Sequence, residues 1–225
     1  MNQESPHVTR WWWVRHAPVP DTVNIYGQND VDSDTSDRNV FDALARELPR
    51  GAAWFTSNLK RTHQTAEAII DAMIEKDIAA ENRVPVSEFA EQHLGEWQGL
   101  NRAEFFASRA HLSHPFWFGP AAEKAPGGES FDDLYARVAP AIDRLSGEHF
   151  GRDIVAVTHG GTIKAAIGHA LKLSTDAALA FAIDNCSITR LDQLGTGDDS
   201  LWRVASINHR PWTGMEAIRA ASVMA

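Results

Sequence analysis

Two arginines, two histidines and one glutamate occupy places in this chain where an anion could be held and attacked. Arg15 and His16 close the apolar run in WWWVRHAP. Arg61 falls in the first turn of a helix-like segment that follows a second apolar run, AAWFTS. His159 ends DIVAVTH and is followed at once by Gly160 and Gly161, while Glu91 lies in a loop after a short strand-like segment. A phosphate dianion needs several fixed donors, and the arginine fork matches its oxygens. Backbone N–H groups at a helix start add to that field. A neutral imidazole can attack phosphorus and hold the phosphoryl group covalently. A protonated carboxyl can supply the proton that a departing alkoxide needs. The cations are side chains, so this chemistry calls for neither a metal nor a cofactor. Taken singly, each residue has an ordinary explanation: the chain has ten histidines, and an arginine on a first helical turn is usually solvated. Joint placement at strand ends is what makes the set specific.

The elements that must position these groups follow from the hydrophobic pattern. RWWWV at 10–14 reads as a strand, and 19–37, rich in Asp, Asn, Gly and Pro, as a long loop. A helix is predicted over 38–48, a strand over 52–57 and a second helix over 59–76, with Ala66, Ile69, Ile70 and Met73 on one face and Ser57 or Asn58 as its cap. Residues 84–100 read as short strand and loop, 101–110 as a helix and 111–129 as a loop or lid. Ser130 and Asp133 make a capping box for a helix over 131–146. Strand, tight turn and helix follow over 153–173, then two late strands at 186–194 and 201–208 joined by GTGDD. Strands alternating with helices of this length predict an α/β fold, a three-layer sandwich with a mainly parallel central sheet flanked by helices. Ligands of such sheets bind beyond the carboxyl ends of the strands, which is where the five residues fall. Central strands read as continuous apolar runs, so WWWV is expected to be buried on both faces. Partly exposed tryptophans at a homodimer contact are the alternative.

Size and charge narrow the function classes. The chain of 225 residues, 44% hydrophobic, is expected to form one domain over 1–225 with a lid-like insertion around 101–130. A net charge of −9 disfavours nucleic acid and anionic lipid as partners but leaves room for a small anionic substrate at a local cluster of cations. Cys186 is the only cysteine, so no intrachain disulfide can form. No stretch is apolar enough for a membrane span, and the polar start MNQESPHVTR has no secretory pattern, which makes a cytoplasmic location the expectation. No H-E-x-x-H spacing is present, and HLSH at 111–114 lacks a neighbouring carboxylate cluster, so a metal-dependent hydrolase is disfavoured.

The sequence resembles the histidine phosphatase superfamily, the group that includes cofactor-dependent phosphoglycerate mutase. VRHAPV is similar to its R-H-G signature, and TSNLKRTHQTAEAI to S-x-L-x-R-(A/T)-x-Q-T-A. EQHLGEWQG, APGGES and VTHGGTIK resemble three further blocks of the family. The blocks fall in family order from residue 14 to 164, about two-thirds of the chain. The resemblance implies His16 as the nucleophile, Arg15, Arg61 and His159 as ligands of the phosphoryl group, and Glu91 as the proton donor. Gly160 and Gly161 would let the backbone approach the phosphate, Asn24 is a candidate phosphate ligand, and Trp117 in PFWFGP would line the leaving-group side, unless that segment only braces the lid.

Three departures stand out. The signature glycine is Ala17, which would cost about 1 kcal/mol if that position needs positive φ and nothing if φ is ordinary. Val19 replaces a frequent Ser or Thr, and Thr22 replaces a frequent Asn. The interval from Glu91 to His159 is shorter than in the mutases, and PGGES resembles the phosphatase branch, including α-ribazole phosphatase and broad acid-type phosphatases; the YGQND loop does too. The expected activity is therefore a metal-independent phosphomonoesterase acting on a small phosphorylated metabolite through a phosphohistidine, with an optimum at mildly acidic to neutral pH. The alternatives are mutase-type phosphoryl transfer and a non-catalytic phosphate-binding module.

Overall fold

The computed structural model describes residues 7–74, 83–109, 114–197 and 200–213. The strands are β1 (Val8–Arg15), β2 (Ala53–Thr56), β3 (Arg83–Pro85), β4 (Asp153–Thr158), β5 (Ile188–Leu194) and β6 (Leu201–His209). The helices are α1 (Arg38–Glu47), α2 (Lys60–Ile74), α3 (Arg102–Ser108), α4 (Phe131–Glu148), α5 (Gly160–Leu171) and the short α6 (Thr175–Ala178). One six-stranded sheet runs β3-β2-β4-β1-β5-β6. Its first four strands are mutually parallel, and β5 and β6 add antiparallel at the other side. The α/β sandwich expected from the element pattern is thus present, with a mixed sheet. The tail beyond 213, residues 111–113 of the HLSH stretch and the end of the helix predicted to 76 lie outside the described residues.

Period-two alternation sends each central strand into two cores. Trp11 and Trp13 of β1 join Ala53, Phe55, Ile154 and Ala156 in the core that α4 and α5 cover. Trp12 and Val14 face the other way, with Trp54, Val155 and Val157, under α1 and α2. Trp11 and Trp13 stack with centroids 4.7 Å apart, and Phe89 meets both edge-on. The indole N–H of Trp11 donates to Ser146 at 2.9 Å. Trp12 is half-buried, not fully buried as the continuous run suggested. Its N–H reaches Asp153 at 2.9 Å and its ring lies 4.6 Å from the Arg190 guanidinium. A polar rim thus covers that face of the tryptophan.

Caps fix where the helices begin. Ser130 and Asp133 form the predicted reciprocal box at α4, each side chain bonded to the other's backbone N–H at 3.0 Å. The start of α2 differs from expectation. Asp30, far away in sequence, accepts from Lys60 N at 2.8 Å, while Ser57 takes only the Leu59 N–H and turns its hydroxyl elsewhere. The N-cap residue of α5 is His159, whose side chain makes no capping bond. Ser130→Ala should therefore lower stability by about 1 kcal/mol in urea unfolding. An unchanged midpoint would show that the Ser130 half of the box contributes nothing.

Candidate active site

The parallel strands β1 and β4 lie side by side, so their carboxyl ends bring Arg15, His16 and His159 together. His16 is pinned on all sides: its N–H donates to Thr158 O at 2.8 Å, and its carbonyl accepts from Asn185 Nδ2 at 2.8 Å. Its Nδ1 lies 2.7 Å from Ala17 O, which fixes Nδ1 as the protonated nitrogen and leaves the Nε2 lone pair free. Ala17 has ordinary φ, since the positive-φ residues other than glycine are Lys172, Cys186 and Asn208 among the described residues. Alanine in place of the signature glycine therefore costs no backbone strain; its N–H donates to Thr65 Oγ1 at 2.8 Å.

Arg61 has no solvent exposure. Two backbone carbonyls hold its terminal nitrogens, Gly27 O at 2.7 Å and Asn29 O at 3.0 Å, and the Tyr26 ring lies 5.1 Å from the guanidinium. Arg15 donates to Ile183 O at 2.6 Å. Ser57 Oγ lies 2.8 Å from His159 Nε2. With the serine hydroxyl donating, His159 Nδ1 carries the proton and is free to donate in turn. The two imidazole centroids are 5.2 Å apart. Four buried nitrogens here have no partner: Arg15 Nε, His16 Nε2, Arg61 Nε and His159 Nδ1. Three unmatched donors beside one free lone pair suit an acceptor-rich anion with an electrophilic centre.

Electrostatics favour the same occupant. Burial holds both histidines well below their ordinary value, and the Arg61 and Arg15 guanidinium charges push each lower still. Both rings are thus neutral at pH 7, and His16 presents a lone pair beside positive charge. Burial also lowers Arg61.

Glu91 reaches the cluster from the loop between β3 and α3. Its carboxylate accepts from Gln92 N at 3.0 Å and from Gly161 N at 3.2 Å. A Cβ at Gly161 would overlap Glu91 Oε1, whereas one at Gly160 would make only ordinary contacts with Arg15. The glycine pair was expected to admit phosphate; at Gly161 the close neighbour is the glutamate. The loop itself is fastened from behind. Arg137 of α4 donates to the carbonyls of Glu88, Ala90 and Glu91 at 2.5, 2.9 and 3.0 Å and forks onto the Glu129 carboxylate. Gln28 Nε2 adds a bond to Glu91 O at 2.8 Å.

A cavity of about 770 Å³ opens beside these groups, lined among others by Arg15, Glu91, Gly160, Trp117, Lys164 and Phe181. Trp117 is oriented by a bond from its N–H to Gln92 Oε1 at 2.8 Å. Phe118 packs on Phe106 with centroids 5.8 Å apart, so the aromatic triplet both lines the cavity and braces its wall. Asn24 is not brought to the cavity. Its amide donates to Asp21 at 2.9 Å and its backbone bridges Asn101, because the chain at 21–24 folds into a local turn on the Asp21 carboxylate. Sequence reasoning missed Ser57 as a partner of His159, Arg137 as the clamp on the Glu91 loop, and Lys164 in the cavity wall. Only Ser57 carried a signal, as the serine of the S-x-L-x-R block. Among the described residues no group of His, Cys, Asp or Glu is placed to hold a metal ion, and no helix is long and apolar enough to cross a membrane.

Comparison with known proteins gives the family and the fold. The family model described as "Histidine phosphatase superfamily (branch 1)" matches residues 11–209. The metal-independent phosphoserine phosphatase of Arabidopsis thaliana is 31% identical over 166 residues, covering 70% of this chain and 67% of that protein. A 2,3-bisphosphoglycerate-dependent phosphoglycerate mutase 2 of Gloeobacter violaceus is 30% identical over 60% of this chain and 61% of its own length. The matched segments thus span about two thirds of these relatives or slightly less. The native structure of a mycobacterial glucosyl-3-phosphoglycerate phosphatase superimposes with a TM-score of 0.75 at 26% identity, over 90% of this chain and 99% of that one.

Two outcomes follow from the geometry. Gly161→Ala should displace the Glu91 carboxylate and cost about tenfold or more in kcat, whereas Gly160→Ala should stay within about threefold, read in parallel steady-state assays. Equal losses would show that the glycines act otherwise. The depressed values of His16 and His159 also set a pH dependence of stability. Below the ordinary histidine value of 6.5, the unfolded chain takes up protons that the native rings decline. Stability should therefore fall as pH drops through and below 6.5, with a shallower slope in His16→Asn, as read from urea midpoints.

Proposed function

The chain belongs to the histidine phosphatase superfamily, branch 1, and on that premise we propose that it is a metal-independent phosphomonoesterase that hydrolyses a small phosphorylated metabolite through a phosphohistidine. The observation that carries this reading is the set of four unpartnered buried nitrogens of Arg15, His16, Arg61 and His159, whose side chains lie close enough to act on one another. Arg15, Arg61 and the Nδ1–H of His159 hold the phosphoryl oxygens and the charge that builds on them in the transition state. His16 Nε2 attacks phosphorus as the P–O ester bond breaks. The bonding pair goes to the alcohol oxygen, which takes a proton from the Glu91 carboxyl. The Nδ1–H···O bond to Ala17 stabilises the positive imidazolium formed on phosphorylation. A water then attacks phosphorus, its proton passes to Glu91, and His16 leaves as a neutral imidazole.

Relatives named for phosphatase and for mutase activity both exist, and the two outcomes differ only in what receives the phosphoryl group. The short interval between Glu91 and His159 supports water as the acceptor. The test is hydrolysis of p-nitrophenyl phosphate with a chelator present. The wild type should turn over, and His16→Ala should lose about 10³-fold or more of kcat. Wild-type rates in His16→Ala, or activity abolished by the chelator, would end this reading.

A further inference from the structure

Lys164 lies on the second turn of α5, is 5% exposed, and lines the same cavity as Arg15 and Glu91. Its ammonium is held by neutral groups only. Nζ donates to Leu179 O at 2.7 Å and to Phe116 O at 3.4 Å, and sits 4.5 Å from the centre of the Trp117 ring. Among the described residues no carboxylate pairs with it. A cation buried without a counter-charge is costly, and burial does lower its pKa to about 8, against the opposing pull of Glu91. Structural lysines can meet this cost with an ion pair; this one meets it with two carbonyls and a ring face.

The cavity around it is lopsided in charge. Among the described residues Arg15, Arg102 and Lys164 line it, against the single carboxylate Glu91. In the proposed reaction Arg15 and Glu91 serve the phosphoryl group and the leaving oxygen. Arg102 and Lys164 are left over, and Phe106, Trp117 and Phe181 share the lining with them. Arg102 lies over the Phe118 ring at 5.6 Å and feels Asp21. The remaining space thus offers apolar walls and positive charge.

We propose that Lys164, supported by Arg102, binds a second anionic group on the alcohol half of the substrate, so that this cavity selects phosphate monoesters whose leaving group is itself an anion. The placement of the alcohol half rests on the phosphatase reading above. A carboxylate and a second phosphate share the required chemistry, since each offers oxygens to a lysine ammonium.

The test compares three esters on the full chain: propyl phosphate, 3-phosphooxypropanoate and propane-1,3-diol bisphosphate. The wild type should prefer at least one anionic ester over propyl phosphate by about tenfold or more in kcat/KM, through KM. Which ester wins tells carboxylate from phosphate. Lys164→Met should bring that ratio to near one, and Lys164→Arg should keep most of it. A ratio is read because a merely structural role for Lys164 would lower all three rates together. Calorimetry on His16→Ala with the same ligands reads recognition without turnover. Tighter binding of the anionic ligand there, lost in the His16→Ala/Lys164→Met double variant, upholds the proposal even if no ester is hydrolysed and the phosphatase reading fails. Equal binding of all three ligands, or a preference that survives Lys164→Met, overturns it.

Discussion

Two guanidinium groups stand beside two neutral imidazoles at the carboxyl ends of the parallel strands, and holding them there without neutralising them is the constraint that organises this protein. Carboxylates would hold the arginines more tightly but would cancel the charge that an incoming dianion needs. The chain uses carbonyl oxygens instead. Gly27 and Asn29 take the tips of Arg61, and Ile183 takes Arg15. Each guanidinium keeps its Nε unpartnered. Charge that is desolvated yet not paired acts strongly on whatever enters, because the surrounding dielectric is low. Burial, reinforced by the same guanidinium charges, keeps His16 and His159 neutral, so the His16 Nε2 lone pair is free without a neighbouring base to release it.

Rigidity behind the site comes from hydrogen bonds that tie its loops together. The 26–30 loop encloses the cluster: Tyr26 stacks under Arg61, Gly27 and Asn29 accept from it, Gln28 ties the Glu91 backbone and Asp30 starts α2. Five consecutive residues thus couple the arginine, the acid and the helix between them. On the opposite side the PGGES turn supplies Glu129, which accepts from His93 N and anchors Arg137. Arg137 then satisfies three carbonyls of the loop that ends in Glu91. Beneath all of this the stacked tryptophans of β1 close the core, so the strand that ends in His16 has little freedom to shift.

How much of this the sequence discloses depends on how local the cause is. Strand β1, helix α4 with its capping box and the strand–turn–helix at 153–171 were legible because their signals, apolar runs and cap spacing, lie within a few residues. The five central site residues were legible because strand ends and family-like blocks coincide on them. What was not legible depends on long-range contact. Asp30 capping α2, Ser57 turning to His159 across 102 positions, and Arg137 reaching back 46 to 49 positions leave no periodic trace. Asn24 shows the converse: proximity in sequence to the signature suggested a ligand, yet the nearer Asp21 carboxylate captures its amide. The reason for Gly161 was also hidden, since it lies in the closeness of Glu91 and not in the turn.

The central claim is that phosphorus passes through His16 Nε2. Rapid quenching of the enzyme during turnover of a radiolabelled ester, followed by digestion and peptide mass analysis, addresses it directly. The account predicts a phosphoryl group that is stable in alkali, labile in acid, and located on the peptide bearing His16. Label on another residue, or labelled phosphate released in a single turnover with none ever on His16, would contradict it.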